Sequence, residues 1–198
     1  MRFIASVLFS ATAFALPAAA QDAGWHSAAR DKAIAYHGAN MPKDCNIPVS
    51  DAASVPGHEL QIGEETAARQ ALIMEFPCQA GAYNTTSVFL LSDQHGTVSE
   101  LFFPSPQVDV RYADQADATV VEGIVITGFP LMREVVKPVY DSSSRSVTER
   151  DKWRGPGDAY STTQWGFKNG KFEIMLFAVD ATFDGQDSPV TLIEIDIW

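Results

Sequence analysis

Hydrophobic and polar positions change period several times along this chain, and each change predicts an element. Phe3 to Leu16 is a mainly apolar run behind Arg2, closed by Pro17 and by Ala18-Ala19-Ala20. A positive head, a short apolar stretch and a small-x-small close form the pattern of a secretory signal peptide, here cleaved after Ala20. A membrane span needs about 20 apolar residues, so this run is too short for one. Residues 1–20 are therefore set apart, and residues 21–198 are expected to form a single globular secreted domain.

Asp22 to His37 reads as a short helix. Asp22 caps it, Trp25, Ala28, Ala29, Lys32 and Tyr36 make one stripe, and Gly38 ends it. Met41 to Gly57 is broken by Pro42, Pro48 and Pro56, which suits a loop over the surface.

Beyond it the period falls to two. Arg69 to Phe76 alternates with Leu72, Met74 and Phe76 on one face. Asn84 to Leu91 ends in Val-Phe-Leu-Leu, apolar on both faces, and so reads as a central strand. Asp93-Gln94-His95-Gly96 turns the chain into Thr97 to Phe103. Further strands are expected at Gly123 to Thr127, Glu134 to Tyr140 and Arg145 to Glu149, with a polar turn at Asp141-Ser142-Ser143-Ser144. Asn169-Gly170 is a two-residue hairpin link between Ser161–Lys168 and Lys171–Val179. Its register pairs Phe167 with Phe172, Trp165 with Ile174 and Thr163 with Leu176. Thr191 to Trp198 closes the chain, with Ile193, Ile195 and Ile197 expected inward. The fold class is mainly β (α+β): an antiparallel meander, sandwich or partly open barrel with a short N-terminal helix.

Composition narrows the function classes. The chain has 25 acidic and 14 basic side chains, a net charge of −11; without residues 1–20 the remaining 178 carry −12. That balance opposes nucleic acid and anionic lipid, both of which are gripped by Lys and Arg. Counting back from Trp198 puts Asp196 and Glu194 on the aromatic's own face, which disqualifies a lipid-facing strand. No membrane span is expected after signal cleavage. Cys45 and Cys78, in an oxidising compartment, most simply form one disulfide worth about 3 kcal/mol.

Motifs for zinc proteolysis, phosphate loops, dinucleotides and the serine elbow are absent from the sequence, and no cofactor is expected. His26 and His37 share a helix face but lie roughly 16 Å apart, too far to chelate one ion. Asp180, Asp184 and Asp187 suggest a calcium loop, yet Thr182 and Thr191 stand at its third and twelfth ligand positions. No metal site is assigned. Carboxylates are numerous enough for a catalytic pair, but the sequence does not place one.

The departure from the acidic background is Arg145 to Arg154, with Arg145, Arg150, Lys152 and Arg154, running into Gly155-Pro156-Gly157-Asp158. Glycine amides beside a guanidinium can converge on an anion. The competing account pairs these cations with Glu149, Asp151 and Asp158 around a plain turn. Tyr83 and Asn84 are a second candidate, either an exposed recognition spot beside the disulfide or the packed start of a strand.

Two segments carry a family resemblance. Cys78-Gln79-Ala80-Gly81-Ala82-Tyr83-Asn84 resembles the Cys-x-x-Gly-Ala-Tyr-Asn segment of the bacterial secreted family catalogued as domain of unknown function 1176. Arg154-Gly155-Pro156-Gly157-Asp158 is similar to that family's Gly-Arg-Gly-aliphatic-Gly-Asp-Cys-Gly loop, and Trp165, Gly170 and Phe172 follow in the family's order. Ala159 stands where the family has cysteine and its presumed partner near Asp184 is missing too, as if one disulfide had been lost. Trp153 and Pro156 also depart from the pattern. The resemblance implies a periplasmic protein and brings no activity, substrate or cofactor.

The expectation is a periplasmic, non-enzymatic binding or protein-interaction module of the cell envelope, its partner a basic envelope protein or a small anionic ligand. The candidate binding residues are Tyr83, Asn84, Arg150, Lys152, Arg154 and Asp158. The rival is a carboxylate-dependent hydrolase of an anionic envelope substrate, which places Arg154 and Asp158 in one pocket.

Overall fold

The computed structural model describes residues 18–41, 45, 49, 55–63 and 68–198, with side chains from residue 24 onward. The apolar run Phe3–Leu16 and most of the Met41–Gly57 loop lie outside the described residues; the helix expected from Asp22 begins at Ala18, so Asp22 lies inside it and does not cap it. Strand β3 (Thr85–Asp93) organises the molecule because both of its faces are apolar. Val88 and Leu90 point one way, Phe89 and Leu91 the other, and all four are buried. A strand of that kind must be covered on both sides.

Its sheet runs β1 (Gly57–Ile62), β2 (Arg69–Ala80), β3, β4 (Val98–Glu100), with β9 (Glu134–Val136) pairing the other half of β3. One face carries Leu72, Met74, Phe76, Val88 and Leu90 and is covered by helix α1 (Ala18–Asn40). The helix lies closest through Ala29 and Ala33, both fully buried, whose small side chains let it approach. The expected stripe is therefore displaced by about one position: Ala28 and Lys32 face solvent, while Ala33 and His37 face the sheet. His37 stacks on Phe76 at 4.7 Å, and burial pushes its pKa down. The helix also continues two residues past Gly38. Cys45 is bonded to Cys78, tying the connection after the helix to β2.

The opposite face meets a second sheet, the meander β10 (Val139–Asp141), β11 (Ser146–Lys152), β12 (Tyr160–Lys168), β13 (Lys171–Asp180), β14 (Val190–Glu194). Between the sheets lie Phe89, Phe103, Trp165, Phe167 and Phe172, in edge and stacked contacts with centroids 4.5 to 5.4 Å apart. Truncating Trp165 in such a core costs about 3–5 kcal/mol. The fold is thus mainly β and antiparallel, a sandwich with the helix as an outer layer. Among the described residues no helix is long and apolar enough to cross a membrane.

The Asn169-Gly170 turn forms as expected, both residues at positive φ (53° and 86°). Phe167 pairs with Phe172 and Trp165 with Ile174. A bulge between Gln164 and Trp165 then leaves Met175 without an opposite residue, so Thr163 faces Phe177 in place of Leu176. Glu134–Tyr140 is not one strand. Lys137 takes φ 42° and the chain crosses there from the first sheet to the second. Thr97–Phe103 is likewise divided between β4 and β5 (Phe103–Pro104). At the C-terminus Ile195 is exposed, whereas Ile197 is buried over Gly166.

One excursion escapes the pattern reading. β5 pairs with β8 (Leu131–Met132), and β6 (Gln107–Tyr112) pairs with β7 (Val121–Gly128), making one long hairpin. The sequence reading assigns no strand to β1, β6 or β8. Val108, Val110, Ile124 and Ile126 lay the hairpin across Phe177 and Val179 of β13, beyond the reach of the first sheet. Trp165 Nε1 donates to the Pro104 carbonyl at 2.8 Å and anchors its base.

Candidate functional site

The basic island sits on β11, and a strand's period of two divides it. Arg150 and Lys152 take one face. Val147, Glu149, Asp151 and Trp153 take the other, and Val147 is fully buried in the sandwich core. Two acids therefore lie on the inward face, opposite Thr163 and Ser161 of β12. The β6 hairpin roofs them with Val108 and Val110, and the space enclosed is a cleft of about 380 Å³.

Glu149 is 8% exposed. Its Oε2 accepts the Val136 N–H at 3.1 Å and its Oε1 the Thr163 hydroxyl at 3.2 Å. Burial dominates those two bonds and, with the neighbouring Asp151 charge, pushes its pKa up to about 7. Asp151 is also raised by burial, opposed by Asn84, whose Nδ2 donates to Oδ1 at 2.6 Å. Trp153 completes the wall. The arrangement is a pair of carboxylates in unlike environments beside an aromatic ring and two hydroxyls.

Each residue singled out in the sequence has a definite place. Asn84 binds the edge of β11: besides Asp151, its Nδ2 donates to the Lys152 carbonyl at 3.1 Å and its Oδ1 accepts the Lys152 N–H at 3.4 Å. Tyr83 is 55% exposed and lies against Gly155, where an added Cβ would stand 3.0 Å from its ring. Lys152 rests its stem on Gly157. Arg154 grips Asp158 with both carboxylate oxygens engaged, holding that acid well below the usual carboxylate range, and packs over Phe183 at 4.7 Å. Arg150 lies 3.6 Å over the Tyr160 ring and 3.7 Å from Asp187. Burial, then the hydrogen bond to Asp187, pushes Tyr160 up to about 12.

The two motif segments are thus neighbours, as Tyr83 and Asn84 meet Gly155 and Lys152. They do not surround one cavity. Arg154 and Asp158 are spent on each other and do not line the acidic cleft; Asn84 reaches it through Asp151 alone. The sequence reading gives Glu149 and Asp151 only as counter-ions to the basic island, which they are not among the described ion pairs, and Trp153 only as a departure from the family pattern, although a signal was there. Alternation from Val147 already puts both acids on a buried face.

A larger cleft of about 660 Å³ is lined by Phe102, Phe129, Leu131 and Ile195, among others. The charges at its rim are already matched, Lys171 with Glu173 and Glu100 with Arg133, each at 2.8 Å. It offers shape but little chemistry.

No family model matches this chain, and neither the curated proteins nor the solved structures contain a match to it.

Proposed function

We propose that this protein is a binding module of the bacterial cell envelope whose acidic cleft takes a positively charged group from a ligand or a basic partner. The observation that carries the proposal is the pair Glu149 and Asp151, side by side on the inward face of β11 in a concave site with Trp153. A net charge of −11 would draw cations toward it and speed encounter. An anionic ligand is the weaker choice, since Arg150 and Arg154 already face Asp187 and Asp158. A lysine-rich peptide titrated against the protein tests this. Trp153 emission should change saturably at low salt, and D151N should weaken the effect. An identical titration curve for D151N overturns the assignment.

The envelope location rests on the signal-peptide pattern and on a disulfide that needs an oxidising compartment. Mass spectrometry of the exported protein should find it starting at Gln21; a retained leader would speak against export by cleavage. Membership of the family known as domain of unknown function 1176 belongs to the same proposal. It rests on the two resembling segments, Cys78–Asn84 and Arg154–Asp158.

A second reading, carboxylate-dependent hydrolysis, is favoured by one observation: the two acids are held unequally, Glu149 as an acid near neutrality and Asp151 with a donor. A net acidic cleft suits a neutral or cationic substrate better than an anionic one. Soluble products released from purified cell-wall glycan, and lost in D151N, would favour it; no release would remove it.

A further inference from the structure

We infer that the group this cleft accepts is a primary ammonium, the end of a lysine side chain or of an alkylamine, in preference to a guanidinium, and that its entry displaces a proton from Glu149. The inference rests on the cation-binding reading above and adds the chemical class and the proton.

The class follows from the acceptors that remain. A guanidinium binds best when both oxygens of one carboxylate lie open to its planar fork. Here both oxygens of Glu149 are engaged, by Val136 and Thr163, and Asp151 has Oδ1 committed to Asn84. Neither carboxylate has both oxygens free of a bond, yet both keep unused lone pairs. The hydroxyl oxygens of Ser161 and Thr163 add single acceptors on the same wall. Three diverging N–H bonds on a compact ammonium match separate single acceptors; a rigid planar fork does not. Val108, Val110 and Phe177 face the polar wall and would cover the hydrocarbon stem behind such a head. Trp153 adds an aromatic face for the cation.

The proton follows from the charges that face Glu149. From β11 comes Asp151, which is like-charged. From β9 comes a backbone N–H, from β12 the Thr163 hydroxyl, and from β6 and β13 apolar side chains alone. β6 turns Asp109 and Arg111 toward a separate cleft on its other side. Among the described residues lining the acidic cleft there is no Lys or Arg to neutralise the pair. Without a cation beside it Glu149 therefore keeps its proton to about pH 7. An arriving ammonium supplies the missing positive charge. The Glu149 O–H bond then breaks, its proton goes to solvent, and the carboxylate remains paired with the cation.

Calorimetry with n-butylamine and n-butylguanidine on the folded protein tests both parts. Near pH 6, in two buffers of different ionisation enthalpy, butylammonium should bind saturably and about tenfold more tightly than butylguanidinium. The buffer difference should report a released proton. At about pH 8 the amine should bind more tightly with no release. E149Q should abolish the release and flatten the pH dependence; D151N, weakening amine affinity, serves if E149Q does not fold. Equal or tighter binding of the guanidine, or no released proton, overturns this inference and leaves cation binding intact. Absence of saturable binding by either cation overturns the cation reading itself.

Discussion

Asn84 holds Asp151 across 2.6 Å although 67 positions of chain separate them. The same side chain clasps the Lys152 backbone from both sides, so one amide joins the first sheet's β2–β3 turn to the second sheet's β11. Asn84→Ala would strip Asp151 of its donor and leave two backbone groups to find water. We expect a loss of about 1–3 kcal/mol in urea unfolding. A midpoint unchanged from wild type would show that the clasp contributes nothing.

Glu149 makes stability fall with rising pH. Its carboxyl titrates near 4.5 when unfolded and at about 7 in the fold, so the folded state holds the extra proton between those values. The contribution is complete below about 4.5 and is lost as pH rises through about 7. Its full size is about 3 kcal/mol. Glu149→Gln should flatten the curve across that window and make the protein relatively more stable at about pH 8. Chemical unfolding at three pH values decides; a variant as pH-dependent as wild type contradicts the assignment.

Gly166 leaves room for the C-terminal tail. A Cβ there would lie 2.5 Å from Ile197 Cδ1 and 2.7 Å from Met175 Sδ. Gly166→Ala should lift the tail, separate Trp198 from Arg145, now 4.9 Å apart, and cost about 1–3 kcal/mol. Thermal unfolding followed by tryptophan emission reads both effects, and an unchanged spectrum with unchanged midpoint would refute them.

The Cys45–Cys78 bond closes a separation of 33 residues. Reduction, or the double change to serine, should lower stability by about 3 kcal/mol under the chain-entropy model. Urea unfolding with and without reductant measures it; equal midpoints would mean that the fold itself supplies the constraint.

Much of this fold is readable from residue order. The two-faced apolar run at Val88–Leu91 announces a covered central strand, and Asn169-Gly170 announces its hairpin. The reading loses register at Met175, because a bulge is a local backbone choice that side-chain periodicity does not encode. It also misses the division of Glu134–Tyr140, where a positive φ at Lys137 carries the chain between sheets. For the site, the sequence drew attention to the cations on and just after β11, and the structure pairs Arg150 with Asp187 and the Tyr160 ring and Arg154 with Asp158. The acids between them have the more unusual surroundings.

By itself the sequence determined the period of each element, the hairpin turn, the separation of Glu149 and Asp151 from Arg150 and Lys152 on β11, and the excess of negative charge. Those properties follow from the pleat of a single strand and from composition. Only the tertiary structure decided that the acidic face would be roofed by the β6 hairpin, met by Asn84 from the β2–β3 turn, and lined by no Lys or Arg among the described residues. The reason is physical: alternation is set by adjacent bonds, whereas desolvation and the charge around a carboxylate depend on whatever distant chain packs against it.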